Sequence, residues 1–211
     1  MQNPVIILGA QKLGTAALDI FNSNDVVVYC FLDDDQKLQQ QEVNNVAVMS
    51  STEDSEFLKL IGKKCDVFVA VEDVAARKGT IKLLKEEYKA VPVNAIHRFS
   101  AVSEFAWLGH GNLVAAGAVV NSNAKIGNNC LIHSNAVVDT LAELGDFVQV
   151  GAGAIINSEV IVEEGAFIGT GAVVVSGVKI GKNARVGAGA VVIADVPAKA
   201  TVFGNPAAPI K

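Results

Sequence analysis

The stretch NNCLIHSNAVVDTLAELGDFVQVGAGA, residues 128–154, decides the fold. Its aliphatic residues fall six apart, at Ile132, Val138, Leu144 and Val150. Two positions before these the side chain is usually small (Cys130, Ala136, Ala142), and glycine often follows, as at Gly145 and Gly151. A beat of six fits neither the 3.6-residue period of a helix nor the two-residue alternation of an ordinary strand. Outward from this stretch the register holds without a gap from Val102 to Val192. Such a repeat builds a solenoid. Three hexads make one triangular coil, and each hexad supplies one short strand and one corner. The large aliphatic points into the prism and the small residue fits where the interior narrows. Glycine or asparagine takes the bend, where positive φ is often needed. Residues 18 apart then stack at the strand spacing of about 4.8 Å, and Leu108, Ile126, Leu144, Val162 and Ile180 form one such column. Residues 98–196 are therefore predicted to be an all-β parallel β-helix of hexapeptide repeats with about five coils. VFGNPAAPIK breaks the beat, so residues 197–211 are expected to form a C-terminal tail.

Residues 1–97 keep a different rhythm. PVIILG reads as a buried parallel strand ending at Gly9. LGTAALDIFNSN follows as a helix with Leu13, Ala16, Ala17, Ile20 and Phe21 on one face. VVVYCFLDDD and CDVFVAVED are further strands, AARKGTIKLLKEEYKA is a helix with Ile81, Leu84 and Tyr88 turned inward, and VPVNAIH is a last short strand. This alternation predicts an α/β, Rossmann-like domain with a small parallel sheet.

Composition sets the bounds. Half of the 211 residues are apolar (51%), and the net charge of -5 argues against nucleic-acid binding, which needs a basic face. No apolar run is long enough for a membrane span. The N-terminus lacks the basic and long apolar regions of a signal peptide and reads as a strand. Cys30, Cys65 and Cys130 are odd in number and sit in apolar surroundings, as expected of buried free thiols in a cytoplasmic protein. No metal site is expected.

The hexapeptide half, together with the strand–glycine–helix start, FLDDD, VAVEDVAARK and NAIH in that order, resembles the sugar O-acyltransferases of the sialic-acid O-acetyltransferase (NeuD-like) type. That family includes nucleotide-linked 4-amino-sugar N-acetyltransferases. The resemblance covers nearly the whole chain. It implies a left-handed β-helix, a homotrimer around the helix axis, acetyl-CoA between adjacent helices, and the nucleotide of a nucleotide sugar in the N-terminal domain. The implied activity is transfer of an acetyl group from acetyl-CoA to an amino or hydroxyl group of a sugar in surface-glycan synthesis.

GAQKLG keeps Gly9 and Gly14, the first and last glycines of a G-x-G-x-x-G loop, but Gln11 replaces the middle one. It is either a tight strand-to-helix turn or a phosphate-side loop in which Gly9, Ala10, Gln11, Lys12, Leu13 and Gly14 approach the sugar nucleotide. Asp33 and Asp34 either form a solvated turn or, as the family's acidic pair in the nucleotide-sugar pocket which they match, accept hydrogen bonds from a ribose or base. Glu72 and Asp73 end the third strand at the same sheet edge. Arg77 is either an anion-stabilising group or a surface helix residue. His97 is expected to make a structural hydrogen bond at the domain junction, and His110 to stand at a solvated bend.

Acetyl transfer needs a base for the nucleophile's proton and donors for the tetrahedral oxyanion. The resembling family carries a histidine and then an acid in a V-D-H-D/E-C-x-I-G-D/E-F stretch. Here the stretch reads VVDTLAELGDF: Asp139, Gly145, Asp146 and Phe147 keep the frame, while Thr140 and Leu141 occupy the histidine and acid positions. A histidine frequent in the next hexad is Gln149. Three readings stand. His133 of one chain serves as base beside Thr140 of another, or transfer proceeds without a side-chain base, or the protein is a non-catalytic nucleotide-sugar and acyl-CoA-binding or scaffold protein. The resemblance puts the CoA along VGAGAIINS and FIGTGAVVVSG, with Gly151, Ala152, Gly169, Thr170 and Gly187 lining the pantetheine arm. Gly151 and Gly169 are either ordinary β-helix bends or positions whose amides point at the thioester. Gly204 and Pro206 belong to the closing VFGNPA element beside the CoA nucleotide. Ala208 replaces a basic residue there, and Lys182 and Arg185 are candidate replacements.

Overall fold

The computed structural model describes residues 3–209, and the chain divides after Arg98 into two compact units. In the first unit, β1 (Val5–Leu8), β2 (Val28–Leu32), β3 (Glu42–Val43), β4 (Val46–Ser50) and β5 (Asp66–Val69) form one sheet in the order β3-β4-β2-β1-β5. β1 runs parallel to β2 and β5, and β2 parallel to β4; only the β3–β4 hairpin is antiparallel. β1 is buried at every position because helices cover both faces of the sheet. α1 (Lys12–Ser23) lies on one face, where Phe21 meets Phe68 edge-on at 5.8 Å. On the other face α2 (Ser55–Leu58) and α3 (Val74–Glu87) bring Leu58 and Leu84 into a cluster with Ile6, Leu8, Cys30, Leu32, Val67 and Val69. Ile81 and Tyr88 pack against that cluster as the spacing predicts. α1 differs in one detail: Leu18 is buried and Ala16 is exposed, so its apolar stripe is rotated from the expected one. All three cysteines are free and buried.

The second unit is a parallel β-helix. Its strands are two residues long, the outward residue and the inward aliphatic, and each pairs with the strand 18 positions on. The first face stacks Ala101–Val102, Val119–Val120, Val137–Val138, Ile155–Ile156, Val173–Val174 and Val191–Val192. The second runs from Trp107–Leu108 to Lys179–Ile180, and the third from Leu113–Val114 through Gln149–Val150 to Arg185–Val186. From the second coil onward every inward aliphatic of the register is buried, each contributing about 1.5–3 kcal/mol. The small residues before them, such as Ala136, Ala142 and Ala154, are fully buried as well. The beat outlasts the expected boundary of the tail. Val196 bridges Ile180, and Thr201–Phe203 adds a parallel strand to Arg185–Val186 before Ala208–Pro209 folds back antiparallel.

The corners use two kinds of special residue, where the sequence reading gave one reason for both. The glycine directly after the aliphatic lies against the next coil: a Cβ on Gly151 would stand 2.6 Å from Thr170 N, and one on Gly169 2.5 Å from Ala188 N. Positive φ is required two positions later, at Asn135 (58°), Leu141 (62°) or Phe147 (59°). The three faces also differ outside. The outward residues of the first are Ala101, Val119, Val137, Ile155, Val173 and Val191, all apolar. Those of the second include Lys125, Glu143 and Lys179, with Lys125 Nζ 2.7 Å from Glu143 Oε1.

Candidate functional site

In the first unit, the carboxyl ends of β1, β2 and β5 open into a crevice of about 230 Å³ lined by Gly9, Gln11, Asp33, Asp34, Thr52, Ala70, Val71, Glu72 and Asp73. Crevices at this edge of a parallel sheet are where such folds bind ligands. Gly9 has φ 105° because the chain must pass the β5 end, where a Cβ would lie 2.7 Å from Ala70 O. α1 starts two residues after Ala10, its N-cap Gln11 makes no capping bond, and its first turn holds no acid. The amides at its N-terminus therefore favour an anion.

The carboxylates are not equivalent. Asp33 is buried, with Oδ2 accepting from Ala10 N at 2.7 Å and Oδ1 from Asp35 N at 2.8 Å, so it holds the loop in place. Asp34 is tied to Thr52 through both the backbone amide (2.9 Å) and the hydroxyl (3.0 and 2.9 Å). Asp73 caps α3 by accepting from Ala76 N at 2.7 Å. Glu72 is exposed at the crevice. Of the loop residues predicted to meet the ligand, Gly9 and Gln11 line the crevice. Ala10 is buried on Asp33, Lys12 is exposed, and Leu13 and Gly14 turn into the interior away from it. Arg77 is not the surface residue of one expected reading: it is buried and its Nη1 donates to Val71 O at 3.2 Å, bracing the crevice wall. Sequence reasoning missed Thr52, which lies beyond the unrecognised β3–β4 hairpin. The Asn44–Asn45 pair, both at positive φ, is the turn signal that marks that hairpin. His97 is buried and His110 exposed.

In the second unit, His133 follows Ile132 at the corner between the third and first faces. Thr140 follows Asp139 at the corner between the first and second faces of the same coil. Strand Val137–Val138 separates them, so one chain does not bring His133 and Thr140 together. His133 is partly buried, and that burial lowers its basicity below the ordinary histidine value. Its Nε2 stands 3.0 Å from Gln149 Nε2. Asp139 accepts from Ser158 Oγ and Asn121 Nδ2, each at 2.7 Å. The Ser158 hydroxyl, the Thr140 amide and the Asn121 amide hold its carboxyl below the usual range. The corner beside Thr140 thus carries a fixed carboxylate, a hydroxyl and the exposed Leu141, and no histidine.

Gly151, Gly169 and Gly187 stack above His133 in one corner column, 18 residues apart. Of the two readings of Gly151 and Gly169, the ordinary bend is the one the hydrogen bonds support. The amides of Gly151, Gly169 and Gly187 donate to Ile168 O, Val186 O and Val202 O, each at 2.8 Å, and do not point at a thioester. The amides one residue on, of Ala152 and Thr170, stand outside this coil-to-coil ladder. Gly204 closes the column region, its carbonyl accepting from Val191 N at 2.9 Å just before Pro206. Lys182 and Arg185 are engaged internally: Lys182 Nζ lies 2.7 Å from Glu164 Oε2, and Arg185 stacks 4.7 Å over the Phe167 ring.

The chain matches the family described as "Bacterial transferase hexapeptide (six repeats)" over residues 105–140 and 159–194, and "Hexapeptide repeat of succinyl-transferase" over 123–158. No curated protein sequence matches it. Among solved structures it is similar to a mutant of perosamine N-acetyltransferase from Caulobacter crescentus in complex with CoA and GDP-perosamine. That match has 31% identity and a TM-score of 0.89, and spans 99% of this chain and 97% of the other. It is similar to the acetyltransferase domain of PglB from Neisseria gonorrhoeae in complex with acetyl coenzyme A, at 28% identity and TM-score 0.91 over 100% of both chains. WeeI from Acinetobacter baumannii matches at 27% identity and TM-score 0.86, over 98% of this chain and 99% of the other.

Proposed function

Because the chain belongs to the hexapeptide-repeat sugar acetyltransferases, we propose that it moves the acetyl group of acetyl-CoA onto the amino group of a nucleotide-linked sugar. The observation that carries this reading is the full-length likeness, through both units, to an acetyltransferase solved with CoA and GDP-perosamine. The left-handed β-helix of that family is the architecture on which the site is built. The crevice at Gly9, Gln11, Asp34 and Glu72 takes the nucleotide. The α1 N-terminus suits its phosphates, and Glu72, which lines the crevice, is our candidate to accept from a ribose or base. In this reading the product is a building block for surface glycans and the reaction runs in the cytoplasm.

The working unit in this reading is a homotrimer with the apolar first face turned to the three-fold axis. In a cyclic trimer each edge of that face meets the opposite edge of a neighbour. The His133 corner of one chain then adjoins the Thr140 corner of the next at the same height, because both corners belong to one coil. The pantetheine arm follows the column above His133, and the Ala152 and Thr170 amides, which make no coil-to-coil bond, are our candidate donors to the oxyanion. The sugar amine attacks the thioester carbonyl and forms the C–N bond. His133 takes the proton that the amine loses, the C–S bond breaks, and the thiolate leaves and regains a proton as free CoA.

The test is purified protein with acetyl-CoA and a series of GDP- and UDP-linked amino sugars, reading thiol release and the mass of the sugar. One acetyl per thiol on an amine is expected; no turnover with any amino-sugar nucleotide would refute the reading. His133→Ala should lower kcat about 100- to 10,000-fold with assembly unchanged. Undiminished turnover would remove His133 from the role of base.

A further inference from the structure

One contact of the His133 ring takes no part in the proton transfer. Gln149 is the outward residue of strand Gln149–Val150, and its side chain reaches across to the ring of His133. The contact is Nε2 to Nε2 at 3.0 Å. An amide nitrogen only donates, so the imidazole nitrogen facing it must accept. A neutral imidazole with an accepting Nε2 carries its proton on Nδ1. Gln149 thereby selects one of two tautomers, and it covers the lone pair that a base has to use. The residues stacked below and above His133 in its column are Ala115 and Gly151, neither of them titratable. Within one chain Gln149 is thus the side chain that sets the ring's protonation pattern; in the proposed trimer the charged group at the adjoining corner is the neighbour's Asp139, whose two oxygens accept from Asn121 and Ser158.

We propose that Gln149 is a positioning residue that fixes His133 as the Nδ1–H tautomer and holds its Nε2 lone pair until the acceptor's amine N–H displaces the Gln149 N–H. The amide occupies in the free protein the place that the substrate's donor takes in the complex. This rests on the reading of His133 as base, and it explains how a histidine followed by Ser134 and not by an acid keeps a defined orientation. Three consequences separate it from a merely structural glutamine. The tautomer of His133 depends on residue 149. A carboxylate at 149 accepts from Nε2–H, reverses the tautomer and raises the basicity of the ring. An apolar residue there frees the lone pair and leaves the ring unselected.

The experiment is long-range proton–nitrogen NMR on histidine-labelled protein, free and across pH, with the wild type, Gln149→Leu and Gln149→Glu, beside pH profiles of kcat/KM. The expected result is an unprotonated Nε2 in neutral wild-type His133 and a mixture of tautomers in Gln149→Leu. In Gln149→Glu the His133 titration should rise by about one pH unit or more, with the acid limb of kcat/KM rising equally. A wild-type ring protonated at Nε2, or a His133 titration indifferent to Gln149→Glu, overturns the proposal. A titration that moves while the acid limb stays put upholds Gln149's hold on the ring and overturns His133 as the base. Folding of each variant is read in the same spectra.

Discussion

Leu141 holds a backbone angle that its neighbours leave mostly to asparagine and glycine. Its φ is 62° and its side chain is half exposed, while Asn123, Asn135 and Gly153 take the same conformation at equivalent corners. The left-handed region costs a non-glycine residue about 1–2 kcal/mol, and asparagine recovers part of this through local hydrogen bonds. Leu141→Asn should therefore stabilise the protein by roughly 0.5–1 kcal/mol, seen as a rise of about 2 °C in Tm. An unchanged or lower Tm would mean that the leucine side chain makes compensating contacts. At the other corner, burial lowers the basicity of His133. The acid limb of kcat/KM is thus expected below the ordinary histidine value of 6.5. The sign for folding is the same: above 6.5 the ring is neutral folded or unfolded, and as pH falls toward the folded value the unfolded chain takes up protons first. Stability conferred by this group is lost in that window. At this scale the repeat made the corner that Thr140 occupies legible, and only the family resemblance marks it as a place for a histidine. Neither made the Gln149 contact legible, because that pair forms only when one coil closes on the next.

The elements show why the six-residue beat is so readable. Each strand has one inward position, so an aliphatic column is forced by geometry, and the column found in the sequence is the column found in the fold. The corner glycines look alike in sequence and differ in cause. Gly169→Ala pushes a Cβ to 2.5 Å from Ala188 N and strains the bond from Gly169 N to Val186 O. It should cost about 3 kcal/mol, at the upper end for an overpacked site. Gly171→Ala, with φ 66° and open space around it, should cost only about 1 kcal/mol. Denaturant midpoints of the two variants measure the difference, and equal losses would deny that coil spacing is what the first glycine protects. The first unit was less legible. Its buried strands announced themselves as apolar runs, but the β3–β4 hairpin is short and only partly buried, so Thr52 and its bonds to Asp34 escaped notice. The acidic cluster pointed to the right crevice without revealing that Asp33, Asp34 and Asp73 spend oxygens on the protein itself.

For the whole molecule, the proposed trimer turns on which face is shared. Ile155 lies at the middle of the apolar first face, and Ile155→Glu would bring three carboxylates toward one axis without partners. Sedimentation should show monomers and kcat/KM should fall at least about 100-fold, as the base loses the opposite corner. Lys125→Ala, on the charged second face, should leave the assembly whole. A sharper test asks whether the two corners belong to different chains. His133→Ala spoils one corner and Thr140→Arg blocks the other, so trimers of either variant alone lack a working site. In trimers reassembled from an equal mixture, a site works when a chain with intact His133 precedes one with intact Thr140. Random assembly makes that about one site in four. Recovery near a quarter of wild-type activity is expected after mixing. If both corners of a site came from one chain, every chain in the mixture would carry a defect and no activity would return.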